Sequence, residues 1–246
     1  MTGGGYSLSQ YIPVLAAFVK CLAAILAGIL LGNGAVYFFN KMPAGWFTEY
    51  GERPSDELLD PYTQRIKSYP WKFVLTMFFV AAGICFVMRD YRSAVPMVIV
   101  LWLLVEMAIG DAKYRIIPDE LVVLTAITAI GFVNYNGGWK DCLIGAGAGF
   151  ALMGLIALTG RLLYGKSGAG GGDLKLFTAL GLVLGLYGII TVFVLMACIS
   201  AAHYIILIIR KKLEKDGTMP LVPYITAAVT IYFIFLWGKV ELLLTL

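Results

Sequence analysis

The sequence predicts an all-α, polytopic membrane protein of about eight transmembrane helices with both termini outside. The first observation behind this is composition: 60% of the 246 residues are hydrophobic and only 14% are charged. The second is spacing. Apolar runs recur along nearly the whole chain, many near the roughly 20 residues that a membrane span needs. The third is the placing of lysine and arginine, which concentrate in alternate loops, as cytoplasmic loops require.

Taken in order, the expected spans are 11–39, 71–88, 94–109, 117–133, 142–164, 174–186, 187–209 and 221–237. The first lacks a basic n-region and is too long for a signal peptide. Lys41, Arg53, Arg65, Lys67 and Lys72 lie after it, Lys113 and Arg115 after the third span, and Arg161, Lys166 and Lys175 flank a glycine-rich turn. Arg210, Lys211, Lys212 and Lys215 precede the last span. These clusters define the cytoplasmic side. The stretch 173–209 would make a helix of about 55 Å, too long for one crossing. Gly185 and Gly188 offer a turn between two shorter ones. The polar segment 44–70 has nearly balanced charge and reads as a partly ordered, solvated cytoplasmic loop rather than a nucleic-acid patch. The chain divides into an N-terminal membrane region, 1–92, with its cytoplasmic loop at 40–70, and a six-helix core, 93–246.

The four cysteines stand singly, with no CxxC pair. They read as small apolar helix residues, and no metal ligand set is present. His203, the sole histidine, has no accompanying nucleophile motif and reads as a packed, hydrogen-bonded side chain.

Chemistry is expected at two acids. Asp173 follows Gly170, Gly171 and Gly172 at the start of an apolar helix. An ionisable residue there is a functional-site candidate, although an acid also favours a helix N-terminus on its own account. The glycines are expected to adopt conformations closed to other residues and to let a substrate backbone approach the carboxylate. Asp111 closes the third span on the same side of the membrane. Two neighbouring carboxylates share a proton, one taking a proton from water while the other donates to the scissile group. They titrate as a unit, so neither role is assigned to one residue. Asp119, after Pro118, fits a first helical turn. Glu106 is unusual inside a span and is expected to face a polar cavity or pair with a base.

At these residues the chain resembles the type IV prepilin peptidases, intramembrane aspartyl proteases of the GxGD kind. Three motifs carry the resemblance. They are Asp111 with Ile117-Pro118-Asp119, the stretch Gly170-Gly171-Gly172-Asp173-Leu174-Lys175, and Met219-Pro220-Leu221-Val222-Pro223-Tyr224. Gly32 and Lys41-Met42-Pro43 are similar to a further family segment, but Val36 stands where that segment carries asparagine. The cytoplasmic CxxC pairs usual in the bacterial enzymes are missing from 44–70. The resemblance implies a peptidase of the inner (plasma) membrane with its active site facing the cytoplasm. It would serve type IV pilus assembly or protein secretion by cutting leader peptides from prepilins or pilin-like proteins. Asp111 and Asp173 would be catalytic, and Gly170, Gly172, Lys175, Pro220 and Pro223 would bind substrate. No cofactor is implied for proteolysis, no nucleic acid is expected as a partner, and S-adenosylmethionine is implied only if the new N-terminus is also methylated. The competing reading is a proton-coupled carrier or channel using the same two acids. That reading asks for mid-bilayer acids and inverted repeats, and no repeat is evident.

Overall fold

The computed structural model describes residues 11–48, 51–60, 63–165, 168–211 and 219–239. Lys166, Lys212 and Lys215 of the basic clusters, and both chain ends, lie outside the described residues. No strand occurs among them. The helices are α1 (Ile12–Lys41), α2 (Asp56–Leu59), α3 (Ser68–Arg89), α4 (Tyr91–Tyr114), α5 (Asp119–Ile127), α6 (Trp139–Tyr164), α7 (Gly171–Ile209) and α8 (Val222–Ile231). A 3-10 turn at Ala44–Phe47 follows α1, another at Thr128–Gly131 extends α5, and a π-helical segment at Tyr232–Leu236 extends α8.

Among the described residues, five helices are long and apolar enough to cross a membrane: α1, α3, α4, α6 and α7. The chain is therefore a multi-pass membrane protein. At the expected fourth and eighth spans lie helices too short to be among these five: α5 with its 3-10 turn, and the apolar helix Val222–Leu236.

The sixth and seventh expected spans are the two arms of α7. At Gly185 the backbone leaves the helix, with φ 68° and ψ −177°. The rings of Phe177 and Phe193 lie 6.2 Å apart, whereas 16 residues of continuous helix would separate them by about 24 Å. The chain reverses at Gly185, where the left-handed φ favours glycine. The Asn136 side chain donates to the Val183 carbonyl at 2.9 Å, satisfying an acceptor beside the break.

Glycines let the helices touch backbone to backbone, as lipid-embedded helices do at small residues. A Cβ on Gly145 would lie 2.3 Å from the Gly181 carbonyl oxygen, and one on Gly149 would lie 2.2 Å from that of Phe177. These contacts run α6 antiparallel to the first arm of α7. Gly28 and Gly32 of α1 seat against Val80 and Thr76 of α3 in the same way.

Several described residues of the 44–70 segment anchor it to the helices, while most of the others are exposed. Arg65 donates to the Met42 carbonyl at 2.6 Å and to that of Leu58 at 3.2 Å. Its guanidinium lies over the Phe47 ring. Asn40 exchanges two hydrogen bonds with the Ile66 backbone. Buried Phe47 reaches α4, where a Cβ on Gly110 would lie 3.0 Å from its ring.

Asp90 starts α4, accepting from the Arg92 and Ser93 amides at 3.1 and 3.2 Å. The Tyr135 hydroxyl donates to it at 2.8 Å. This bond, more than the amide bonds, holds the Asp90 carboxyl below its ordinary range. Asp90→Ala is expected to cost about 1 kcal/mol, as loss of a helix cap does, read as a lower melting temperature in detergent. A depressed carboxyl stabilises the fold above its unfolded pKa and loses that contribution as pH falls through the folded value. The difference between wild type and Asp90→Ala should therefore shrink below about pH 4, and Tyr135→Phe should reduce it.

Candidate active site

Asp111 and Asp173 line one polar cavity of about 620 Å³. Asp111 lies in the last turn of α4 and is 7% exposed. Its Oδ2 accepts from the Val222 amide at 2.9 Å. Val222 is the first residue of α8 and Pro223 follows it, so a helix N-terminus with its positive dipole end points at the Asp111 carboxylate. The missing N–H of Pro223 removes a neighbouring donor, which a first helical turn tolerates. Asp173 occupies the third position of α7 and accepts from the Gly170 amide at 3.0 Å. It thus caps its own helix, and the dipole argument made from sequence holds. Each carboxylate thus accepts an amide hydrogen bond from the start of a helix.

Asp173 is recessed. A Cβ on Gly154 would lie 3.8 Å from Leu174, so the α7 start is level with that part of α6. From there α6 runs on to Tyr164, about 15 Å further. The glycine-rich turn comes back along α6 to cover this distance: a Cβ on Gly168 would lie 2.6 Å from the Ile156 carbonyl oxygen.

Gly170 has φ −74° and ψ 159°, open to any residue, and neither Gly171 nor Gly172 has a positive φ. These three glycines therefore do not adopt the conformations closed to other residues that were expected of them. What Gly172 supplies is the absence of a side chain, because its Cβ would meet Ile117 at 3.2 Å. The α7 start therefore lies close against the loop between α4 and α5.

Lys175 lines the cavity, but its ammonium is held by both oxygens of Asp119, at 2.9 and 2.7 Å. This pair ties α5 to α7 beside the two acids. Pro220 is not among the residues lining the cavity, and Pro223 lines a different one. The proline segment reaches this site through the Val222 amide. Sequence reasoning missed that contact, because a backbone donor leaves no side-chain signature. It also missed Arg115, which caps α4 in the left-handed conformation and lines the cavity. Trp46 and Glu52 bring the 44–70 segment to the cavity wall. With Asp119 and Glu120, five carboxylates line the cavity among the described residues, against two cations, Arg115 and Lys175.

His203 pairs with the Tyr224 hydroxyl, as expected, but it is exposed rather than packed. Glu106 is fully buried, and neither carboxylate oxygen has a hydrogen-bond partner among the described residues. It neither lines the acid cavity nor pairs with a base there, contrary to expectation.

Residues 97–206 match the type IV leader peptidase family. The resemblance carried by the motifs is thereby shown over this segment, which contains both aspartates and the glycine-rich turn. A prepilin leader peptidase/N-methyltransferase of Bacillus subtilis is 29% identical over 166 residues, 67% of this chain and 64% of that protein. One from Aeromonas salmonicida is 32% identical over 140 residues, 56% of this chain and 47% of that protein. One from Pseudomonas aeruginosa is 29% identical over 151 residues, 59% of this chain and 50% of that protein. The matches thus span about half to two thirds of the length of these curated relatives. No solved structure gives a significant match.

Within this leader peptidase-like segment, Glu106 gives a test of structural cost. A buried polar group without a partner costs roughly 1–3 kcal/mol. Glu106→Met, similar in shape, should therefore raise thermal stability in detergent. Glu106→Gln, still polar, should raise it less.

Proposed function

We propose that this chain is an aspartyl endopeptidase of the inner membrane that removes leader peptides from prepilins or pilin-like proteins on the cytoplasmic side. The observation that carries the reading is the convergence of Asp111 and Asp173, each accepting an amide hydrogen bond from a helix start, on one polar cavity. In the reaction one carboxylate takes a proton from water. The resulting hydroxide adds to the scissile carbonyl, and the other carboxyl group donates its proton. The C–N bond then breaks and the leaving amine is protonated. The excess of carboxylates in the cavity suits a basic leader, and Glu52 extends that acidity into the 44–70 segment. We read 93–246 as the protease core. Residues 1–92 contribute Trp46 and Glu52 to its wall, and Gly170, Gly172 and Lys175 are the nearest candidates for substrate contact.

The relatives' names include N-methyltransferase. Trp46, Glu52 and Glu120 offer an aromatic face and carboxylates to a cationic sulfonium, and they are the residues that would hold S-adenosylmethionine. When bound, that group supplies a methyl.

The proton-coupled carrier is the competing class, and one experiment separates the two. The purified protein is incubated with a candidate prepilin and scored for a leader-sized shift on a gel. Asp111→Asn and Asp173→Asn should each abolish the shift while leaving folding and membrane insertion intact. Full cleavage by either variant would refute the mechanism. Gly172→Val should lower cleavage roughly hundredfold, since displacements near 1 Å have that effect. Ile117→Ala in the same chain should recover part of the loss by making room for the added side chain. Wild-type rates in Gly172→Val would remove Gly172 from the account.

A further inference from the structure

A second cavity on the same side of the membrane carries the opposite charge. It is about 630 Å³, lies between α3, α4 and α8, and has Arg65, Lys67 and Lys113 among its lining. No carboxylate lines it among the described residues. Lys113 is paired with Glu57 at 2.6 Å. Arg65 donates to backbone carbonyls, which leave its charge uncompensated. Lys67 has no ion-pair partner among the described residues.

The charges occupy one end only. Below them the walls are apolar, with Trp71 and Leu75 from α3 and Val105, Ala108 and Ile109 from α4. From Ala112 to Val105 the cleft follows α4 for about 10 Å, most of one leaflet's hydrocarbon depth. A cationic mouth with a tryptophan at the interface and an apolar throat complements an anionic amphiphile. A free phosphate has no use for the throat. A basic peptide is repelled by the mouth and has the acid cavity available instead.

We propose that this cleft binds an anionic phospholipid, with its phosphate at Lys67 and the neighbouring cations and one acyl chain along Trp71, Leu75 and Ile109. The proposal is independent of the peptidase reading. Pro223 and Thr226 of α8 form part of the wall, and Val222 beside them donates to Asp111. A bound chain therefore packs against the start of the helix that holds one of the acids.

The test uses the full chain in phosphatidylcholine nanodiscs containing a minor share of phosphatidylglycerol with brominated acyl chains, which quench nearby tryptophan fluorescence. Brominated phosphatidylglycerol should quench wild type more than brominated phosphatidylcholine does, and the difference should vanish in Trp71→Phe. Lys67→Met should weaken phosphatidylglycerol binding roughly fivefold, the factor one interfacial lysine contributes. Lys67→Glu should weaken it further. Ala108→Phe, which fills the throat, should abolish the Trp71 signal. Equal quenching by the two lipids, an unchanged preference in both Lys67 variants, or full quenching in Ala108→Phe would each overturn the proposal. Inorganic phosphate should leave the quenching in place. Relief of quenching by phosphate would mark a free-anion site and overturn the lipid.

Discussion

The depth of the acid site is set by a backbone-on-backbone contact. Gly145 and Gly149 bring α6 against the first arm of α7 with no side chain between, and this fixes where Asp173 stands along α6. A Cβ at either position would lie 2.2–2.3 Å from a carbonyl oxygen of α7, so any larger residue would push the helices apart and move the start of α7 with them. The reversal at Gly185 depends on the same contact, since it closes the far end of the arm that α6 holds.

The electrostatic arrangement follows from that placement. A carboxylate within a membrane-embedded bundle needs partners supplied by the protein, and two helix starts supply them here. One is the helix that carries Asp173; the other, α8, is contributed by a part of the chain 111 residues beyond Asp111. Arg115 and the Lys175–Asp119 pair add charge at the rim without occupying either aspartate. Both carboxylates remain open to the cavity, and this distinguishes the pair from an ordinary structural cap.

Much of this was legible in the sequence. The apolar runs located the helices, the mismatch between a 37-residue stretch and one bilayer pointed to the turn at Gly185, and the loop charges put Asp111 and Asp173 on one side. The helix lengths were less legible, because hydropathy alone does not say where a 3-10 or π-helical turn ends a helix. The role of Gly172 was read as conformational, yet its φ is ordinary and its neighbour Ile117 lies 55 residues away. A close approach of that kind has no local signature. The Val222 donor was invisible for the same reason that any residue could provide it. The place of Trp46 and Glu52 in the cavity wall was hidden by the polar composition of their loop, which looks alike whether it is solvated or folded against the helices.

The recess of Asp173 gives the protein a built-in measure of distance. On the peptidase reading, the bond to be cut must reach a point about 15 Å inside the end of α6. A substrate's apolar helix is positioned independently, by its own length in the bilayer. The two depths coincide at one register only, so the position of the cut is selected by how far a peptide can be drawn in before its helix meets the bundle. The side chains flanking the bond need then carry only part of the specificity. A thinner or thicker membrane would shift one depth against the other, turning bilayer thickness into a variable that such a peptidase would sense.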